Sequence, residues 1–176
     1  MVEKVTQREK EVEASQHLVY EIMMKENEER NKRMRSGRKV VKGSSLPFQL
    51  SRQGTIRHYT SDSIKDTASD KWSIFVHEVK THSGKHKHQG GLNIFVLKGS
   101  GYTTMDDVRY DWDAGDLICL PVKKGGVVHQ HFNKDNKPSR WLAFINNHII
   151  EMMGRFVEQK EVSPYWQVGQ GAPKPK

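Results

Sequence analysis

The sequence predicts an all-β core with an N-terminal helix and a short C-terminal helix. Three observations point there: short runs rich in aromatic and β-branched residues, glycine-rich turn signals between those runs, and a charged stretch without glycine or proline ahead of them. Strands this short, interrupted by turns this often, assemble into a sandwich or a barrel.

Taken in order, residues 1–36 read as a charged helical extension. Val5, Val12 and Val19 recur every seven residues, with Leu18, Ile22 and Met23 near the same stripe. That is an amphipathic helix with a narrow apolar seam, suited either to a partly solvated extension or to a dimer arm. Residues 37–50 turn to Gly, Ser, Lys and Pro, which marks a linker. The β core is expected over 51–146, with strands at Trp72–Val79, 92–97, Leu117–Leu120 and 141–145. Turn signals separate them at Ser83-Gly84, Gly90-Gly91, Gly99-Ser100-Gly101, Ala114-Gly115-Asp116, Lys124-Gly125-Gly126 and 133–138. A second helix is expected over 147–160, where Ile149, Ile150, Met153, Phe156 and Val157 fall at helical spacing, followed by an irregular tail over 161–176.

Composition narrows the function classes. The 176 residues are 35% hydrophobic and carry a net charge of +8, with a mean hydropathy of -0.79. The basic excess is scattered and no base-reading module accompanies it. Weak attraction to anionic substrates is therefore expected, and dedicated nucleic-acid binding is not. The single cysteine, Cys119, excludes an internal disulfide framework and reads as a small buried hydrophobe in an apolar run. No apolar run approaches membrane-spanning length, and residues 1–10 lack the apolar stretch of a secretory leader. A reducing cytoplasm is the expected location.

The chemistry is concentrated in histidines. Of nine in the chain, five are His82, His86, His88, His129 and His131. His86-Lys87-His88 and His129-Gln130-His131 are alternate-residue pairs, and side chains at i and i+2 of a strand share a face. Two neighbouring antiparallel strands carrying such pairs can surround a metal from two sides.

Residues 84–133 also resemble the two motifs of the cupin superfamily. The first is matched by His86-Lys87-His88, three residues, then Leu92, ending at Gly99; the second by Gly115, five residues, Pro121, then His129, three residues and Asn133. The resemblance implies a cupin-type jelly-roll β-barrel with a divalent metal at its centre on His86, His88 and His129. Most metal-binding cupins have a glutamate where this chain has Leu92, which strand parity puts on the same face as His88. Either the site has decayed or it is a three-histidine site of the kind found in several cupin dioxygenases, and the retained Pro121, His129 and Asn133 favour the second. The string from Leu92 through Gly101, Asp106-Asp107 and Gly115-Asp116 to His129-Gln130-His131 is similar to the gentisate and salicylate type of ring-cleaving dioxygenase. Those enzymes are generally two-barrelled, and this chain has room for one barrel.

That resemblance implies a mononuclear Fe(II) centre taking a small anionic substrate and O₂, and cleaving a carbon–carbon bond in a hydroxylated aromatic or enolisable acid. Imidazole ligands by themselves also admit Zn, Ni, Mn or Cu. Two other readings stand beside it: a metal-dependent isomerase, lyase or hydrolase on a small polar substrate, and a non-catalytic ligand-binding cupin. His131 is the candidate acid/base or substrate-positioning group, with a supporting hydrogen bond to the metal ligands as its alternative. His77, Tyr102 and Arg140 are candidate substrate contacts, with Arg140 read first as a surface residue. Trp72, Phe75, Phe95 and Trp112 read as core. A homodimer without membrane attachment completes the expectation.

Overall fold

The structure, a computed structural model, describes residues 7–69 and 71–166, with side chains from Leu18 onward. It divides into two compact units, Met1–Lys39 with Asp66–Ser69, and Val40–Lys65 with Asp70–Lys176.

The first unit is dominated by α1 (Gln7–Ser36). Gly37 stops it: a side chain there would place its Cβ 2.5 Å from the Arg33 carbonyl oxygen and 2.7 Å from the backbone of Thr67. The chain then bonds to a distant segment, with the Arg38 N–H donating to the Asp66 carbonyl (3.0 Å) and the Ala68 N–H to that of Arg38 (3.0 Å). Within the seam, Leu18, Val19, Ile22 and Met23 are all exposed. Val5 and the side chain of Val12 lie outside the described residues.

Among its described residues the second unit holds eleven strands: β1 (Gln49–Ser51), β2 (Gly54–Thr60), β3 (Trp72–Val79), β4 (Lys85–His88), β5 (Leu92–Lys98), β6 (Gly101–Met105), β7 (Val108–Trp112), β8 (Leu117–Leu120), β9 (Val127–Asn133), β10 (Ser139–Asn146) and β11 (Val157–Glu161). A helix α2 (Asn147–Met152) precedes β11. The strands form two antiparallel sheets, ordered β1-β2-β3-β10-β5-β8 and β11-β4-β9-β6-β7. This is the double-sheet form of a jelly roll rather than one continuous ring of strands.

Period-two alternation decides what is inside. On β5, Leu92, Ile94 and Val96 are buried and Phe95 is exposed; on β10, Trp141 and Ala143 are buried and Arg140 is exposed. The same rule corrects the reading of Cys119. On β8 it is Ile118 and Leu120 that enter the core, so Cys119 faces out and is exposed. Of the four aromatics read as core, Trp112 is in it and Phe75 packs against it, while Trp72 and Phe95 are exposed.

The second helix also differs from expectation. It is capped by Asn146, whose side chain accepts from the His148 N–H (3.1 Å), but it ends at Met152 rather than running to 160. Gly154 takes a left-handed φ of 70°, which turns the chain away. Residues Val157–Glu161 then form β11 along β4, pairing Val157 with His88 and Gln159 with His86. Helical spacing in the sequence yields here to an open strand edge that needs backbone partners. The tail expected over 161–176 is described only as far as Trp166. Among the described residues no helix is long and apolar enough to cross a membrane.

Candidate metal centre

The two histidine pairs lie on adjacent strands. β4 and β9 run antiparallel with His86 directly opposite His129 and His88 opposite Val127. His86, His88 and His129 therefore share one face, with ring centroids 4.1 Å apart for His86 and His129, 4.7 Å for His88 and His129, and 5.3 Å for His86 and His88. One ring nitrogen from each lies within 4.8 Å of the others. His82, the remaining member of the sequence cluster, points elsewhere: it packs on Phe132 and its Nδ1 lies 3.0 Å from the Ser83 carbonyl.

The triad opens onto a cavity of about 170 Å³, walled on its apolar side by Ile56, Phe75, Leu92, Ile145 and, at its exposed edge, Val157. Leu92 is 3% exposed. It begins β5, so it belongs to the sheet opposite His88, not to the same strand face. It reaches the same cavity from the other side, and the slot of a fourth ligand is filled by hydrocarbon.

The donor set fits a cation. His129 is fully buried; its Nδ1–H donates to the Val127 carbonyl (3.1 Å), which leaves Nε2 with a lone pair, and that Nε2 is buried without a partner. His86 Nδ1 lies 3.5 Å from the Gly84 carbonyl, favouring the same tautomer. His88 is arranged differently. The Gly90 N–H donates to its Nδ1 (3.1 Å), so its proton sits on Nε2. Ligation through Nε2 requires this ring to move its proton to Nδ1 and release Gly90, a shift within the ordinary tautomer equilibrium of imidazole.

All three rings are held neutral. Burial, reinforced by His88 and His131, lowers His86 from 6.5 to about 3; burial lowers His88 to about 4. Burial first, then His86 and His88, takes His129 well below the usual histidine range. A stability prediction follows for the metal-free protein. Above pH 6.5, folded and unfolded chains both keep these rings neutral. As pH falls below 6.5, the unfolded chain binds protons that the folded one refuses, and stability is lost. Each such ring contributes about 1.4 kcal/mol per pH unit until its folded pKa is reached. Urea midpoints at pH 7 and pH 5 are expected to show the drop, and equal midpoints contradict it.

His131 follows His129 on the same face but is not one of the triad. It is 1% exposed, and its Nδ1 lies 2.8 Å from Thr103 Oγ1, which in turn accepts from the Trp112 indole N–H (3.0 Å). The buried Thr103 O–H has no other acceptor among the described residues, so it donates to Nδ1, leaving the His131 proton on Nε2. Burial, then His129, His77 and His88, keeps this ring neutral as well. Ser83 Oγ accepts the His131 backbone N–H (2.9 Å) and locks the strand in place.

The candidate substrate contacts separate. His77 lines the cavity from β3, its tip packed where a Cβ on Gly54 would lie 2.5 Å from Nε2, and burial lowers it to about 3. Tyr102 does not: it alternates outward from buried Thr103, stacks on Phe132 (4.5 Å) and lies under Arg109 (3.9 Å). Arg140 does not either. It alternates outward from Trp141, pairs with Glu78 (2.6 Å) and stacks over Phe48. Asn133 fastens the 133–138 turn, donating to the carbonyls of Lys80, Asp135 and Lys137. Cavity residues that sequence reasoning missed are Gln53 and Trp141, together with Thr103 behind His131. Alternation around Ala143 was the signal available for Trp141.

Residues 74–145 match the family described as Cupin domain. No curated protein is similar enough in sequence to count as a match. Among solved structures, the chain is similar to the polyketide cyclase RemF from Streptomyces resistomycificus, with a TM-score of 0.53 at 18% identity, over 72% of this chain and 88% of that one. It is similar to the Streptomyces protein PAC13, solved with uridine, with a TM-score of 0.52 at 12% identity, over 73% of this chain and 99% of that one. A salicylate 1,2-dioxygenase from Pseudoaminobacter salicylatoxidans, solved as adducts with gentisate, gives 0.51 at 13% identity, over 65% of this chain and 31% of that one. The match spans under a third of the salicylate dioxygenase chains, 29% of the first of them. At these identities the likenesses bear on fold alone.

Proposed function

We propose that this chain, whose residues 74–145 match the Cupin domain family, is a member of the cupin superfamily and a mononuclear metal enzyme with His86, His88 and His129 as the protein ligands. We further propose that the ion is Fe(II) and the reaction an oxygen-dependent cleavage of a carbon–carbon bond in a hydroxylated aromatic or enolisable acid. One observation carries the reading: three neutral imidazoles converge where the remaining wall, at Leu92, is hydrocarbon. Such a donor set leaves the full charge of a divalent ion uncancelled, and when bound the ion supplies a Lewis acid and template with coordination positions to spare.

The chain's own residues complete the arrangement. Ile56, Phe75 and Ile145 give the cavity an apolar wall, beside which polar contacts are strengthened by the low local dielectric. His131, held through Thr103 and Trp112, presents a neutral Nε2–H as a hydrogen-bond donor to a substrate oxygen; as its ring resists protonation, it orients and polarises rather than delivering a proton as imidazolium. The same reading has the protein as a homodimer in a reducing cytoplasm. The exposed free thiol of Cys119 and the exposed apolar side chains of α1 support that part.

Elemental analysis followed by oxygen-uptake assays on anaerobically Fe(II)-loaded protein tests the proposal. Iron near one per chain, with uptake on hydroxylated aromatics or enolisable substrates, is the expected result. Loaded protein that consumes no oxygen with any of them, or that turns substrate over without oxygen, overturns the dioxygenase reading.

A further inference from the structure

The triad accounts for one unpartnered polar atom at this cavity, and three more lie beyond it: His77 Nε2, which packs toward Gly54, and one atom each of Trp141 and Gln53. Trp141 is 2% exposed and its indole N–H has no hydrogen-bond partner. Gln53, on the turn between β1 and β2, has a buried Oε1 that is likewise unpartnered, while its Nε2 donates to Gln159 Oε1 (2.8 Å). Both residues line the cavity together with the three histidines. A polar group left unmet in an interior costs about 1–3 kcal/mol, and buried tryptophan ordinarily finds a partner for its N–H. Trp141 is also held in position, its ring lying 4.6 Å from that of His77 and 4.8 Å from that of His131. A fixed donor and a fixed acceptor set among apolar walls form the pattern of a ligand site.

Charge and size narrow the occupant. No Lys, Arg, Asp or Glu is among the described residues lining the cavity. A carboxylate placed away from the histidines would be desolvated with no counter-charge, at a cost of several kcal/mol. Arg140, the cation the sequence offers for that purpose, is bound to Glu78 on the outer face. At about 170 Å³ the cavity is smaller than the about 300–1000 Å³ of usual ligand pockets, which suits a single ring or a short chain.

Building on the metal-centre reading above, we infer that Trp141 and Gln53 bind the substrate and set its class. The substrate is small and carries no carboxylate outside its chelating pair. Its hydrogen-bond acceptor meets the Trp141 N–H, its hydroxyl or amide donor meets Gln53 Oε1, and its chelating oxygens face the histidines. That narrows the proposed substrates to those whose acidic oxygens all face the histidines, with only neutral polar groups on the rest of the molecule.

The test uses kojic acid, a one-ring hydroxyketone without a carboxylate whose hydroxymethyl arm leaves a donor beside the chelating pair, and comenic acid, in which a carboxylate replaces that arm. Binding is followed by ligand-observed NMR titration on full-length protein, zinc-loaded and metal-free, with metal content measured in parallel. Kojic acid is expected to bind wild type at least about tenfold more tightly than comenic acid. Trp141→Phe and Gln53→Leu are each expected to weaken kojic acid about tenfold, the loss of one hydrogen bond in the interior, with metal content unchanged. Unchanged kojic acid affinity in the variants, tighter binding of comenic acid, or no kojic acid binding to either form of wild type overturns the inference. If wild type takes up no metal, the metal-centre reading fails separately, and the metal-free titrations still decide the roles of Trp141 and Gln53. If Trp141→Phe does not fold, Gln53→Leu, on a half-buried turn, decides alone.

Discussion

Replacing His129 with alanine is expected to cost more than about 100-fold in metal affinity, beyond the loss usual for residues that merely support a ligand. His129 is the hub of the triad, its ring lying between those of His86 (4.1 Å) and His88 (4.7 Å). Its Nε2 is an acceptor already freed of its proton by the bond from Nδ1–H to the Val127 carbonyl. Removing it takes away the ligand most firmly set for an ion and leaves His86, more loosely held at Gly84 (3.5 Å), and His88, still tied to Gly90. Calorimetric titration of zinc into wild type and His129→Ala checks this, with far-UV circular dichroism to establish that the variant folds. His82→Ala serves as the control and is expected to bind as wild type, because His82 faces away from the cavity. A folded His129→Ala variant that still binds one ion with wild-type affinity rules out the triad as the ligand set.

Replacing Leu92 with glutamate is expected to act in opposite directions in the two forms of the protein. Without metal, the new carboxylate sits at a position 3% exposed, surrounded by hydrocarbon and neutral imidazoles. Burying it unpaired is expected to lower stability by roughly 3–5 kcal/mol, or to raise its pKa until it stays protonated near neutrality. With metal, the same carboxylate becomes a fourth ligand and the stability returns, because an ion that binds the folded form alone shifts the equilibrium toward it. Thermal melts of Leu92→Glu with and without zinc check the prediction; the gain on adding zinc is expected to exceed that of wild type. Equal gains place Leu92 out of reach of the ion, and no gain in either protein counts against a metal centre.

The parts of this site that were legible in the sequence share one property: they follow from the two-residue period of a strand. His86 and His88 had to share a face, as did His129 and His131, whatever the rest of the chain did. The motif spacing then brought His86, His88 and His129 together, and the register of β4 against β9 places His86 opposite His129. The period does not say which face is inside. Tyr102 and Arg140 were candidates because they lie on strands near the site, yet in each case the neighbouring residue, Thr103 or Trp141, took the inward place. Cys119 was misread for the same reason, since an apolar run gives no sign of which members alternate outward. The substitution of β11 for the second half of a helix has another cause. Residues 157–161 have weak preferences of their own, and the unpaired edge of β4 decided their conformation.

The sequence by itself determined the strand-rich core, the two histidine pairs and the missing carboxylate at Leu92, because each is written in local spacing. Only the tertiary structure decided that Leu92 meets the histidines from the opposite sheet, that Thr103 holds His131, and that Trp141 and Gln53 bring an unpartnered donor and acceptor to the same cavity. Those residues lie far apart along the chain, and what joins them is strand order and register, which depend on how two sheets bury their apolar faces against each other.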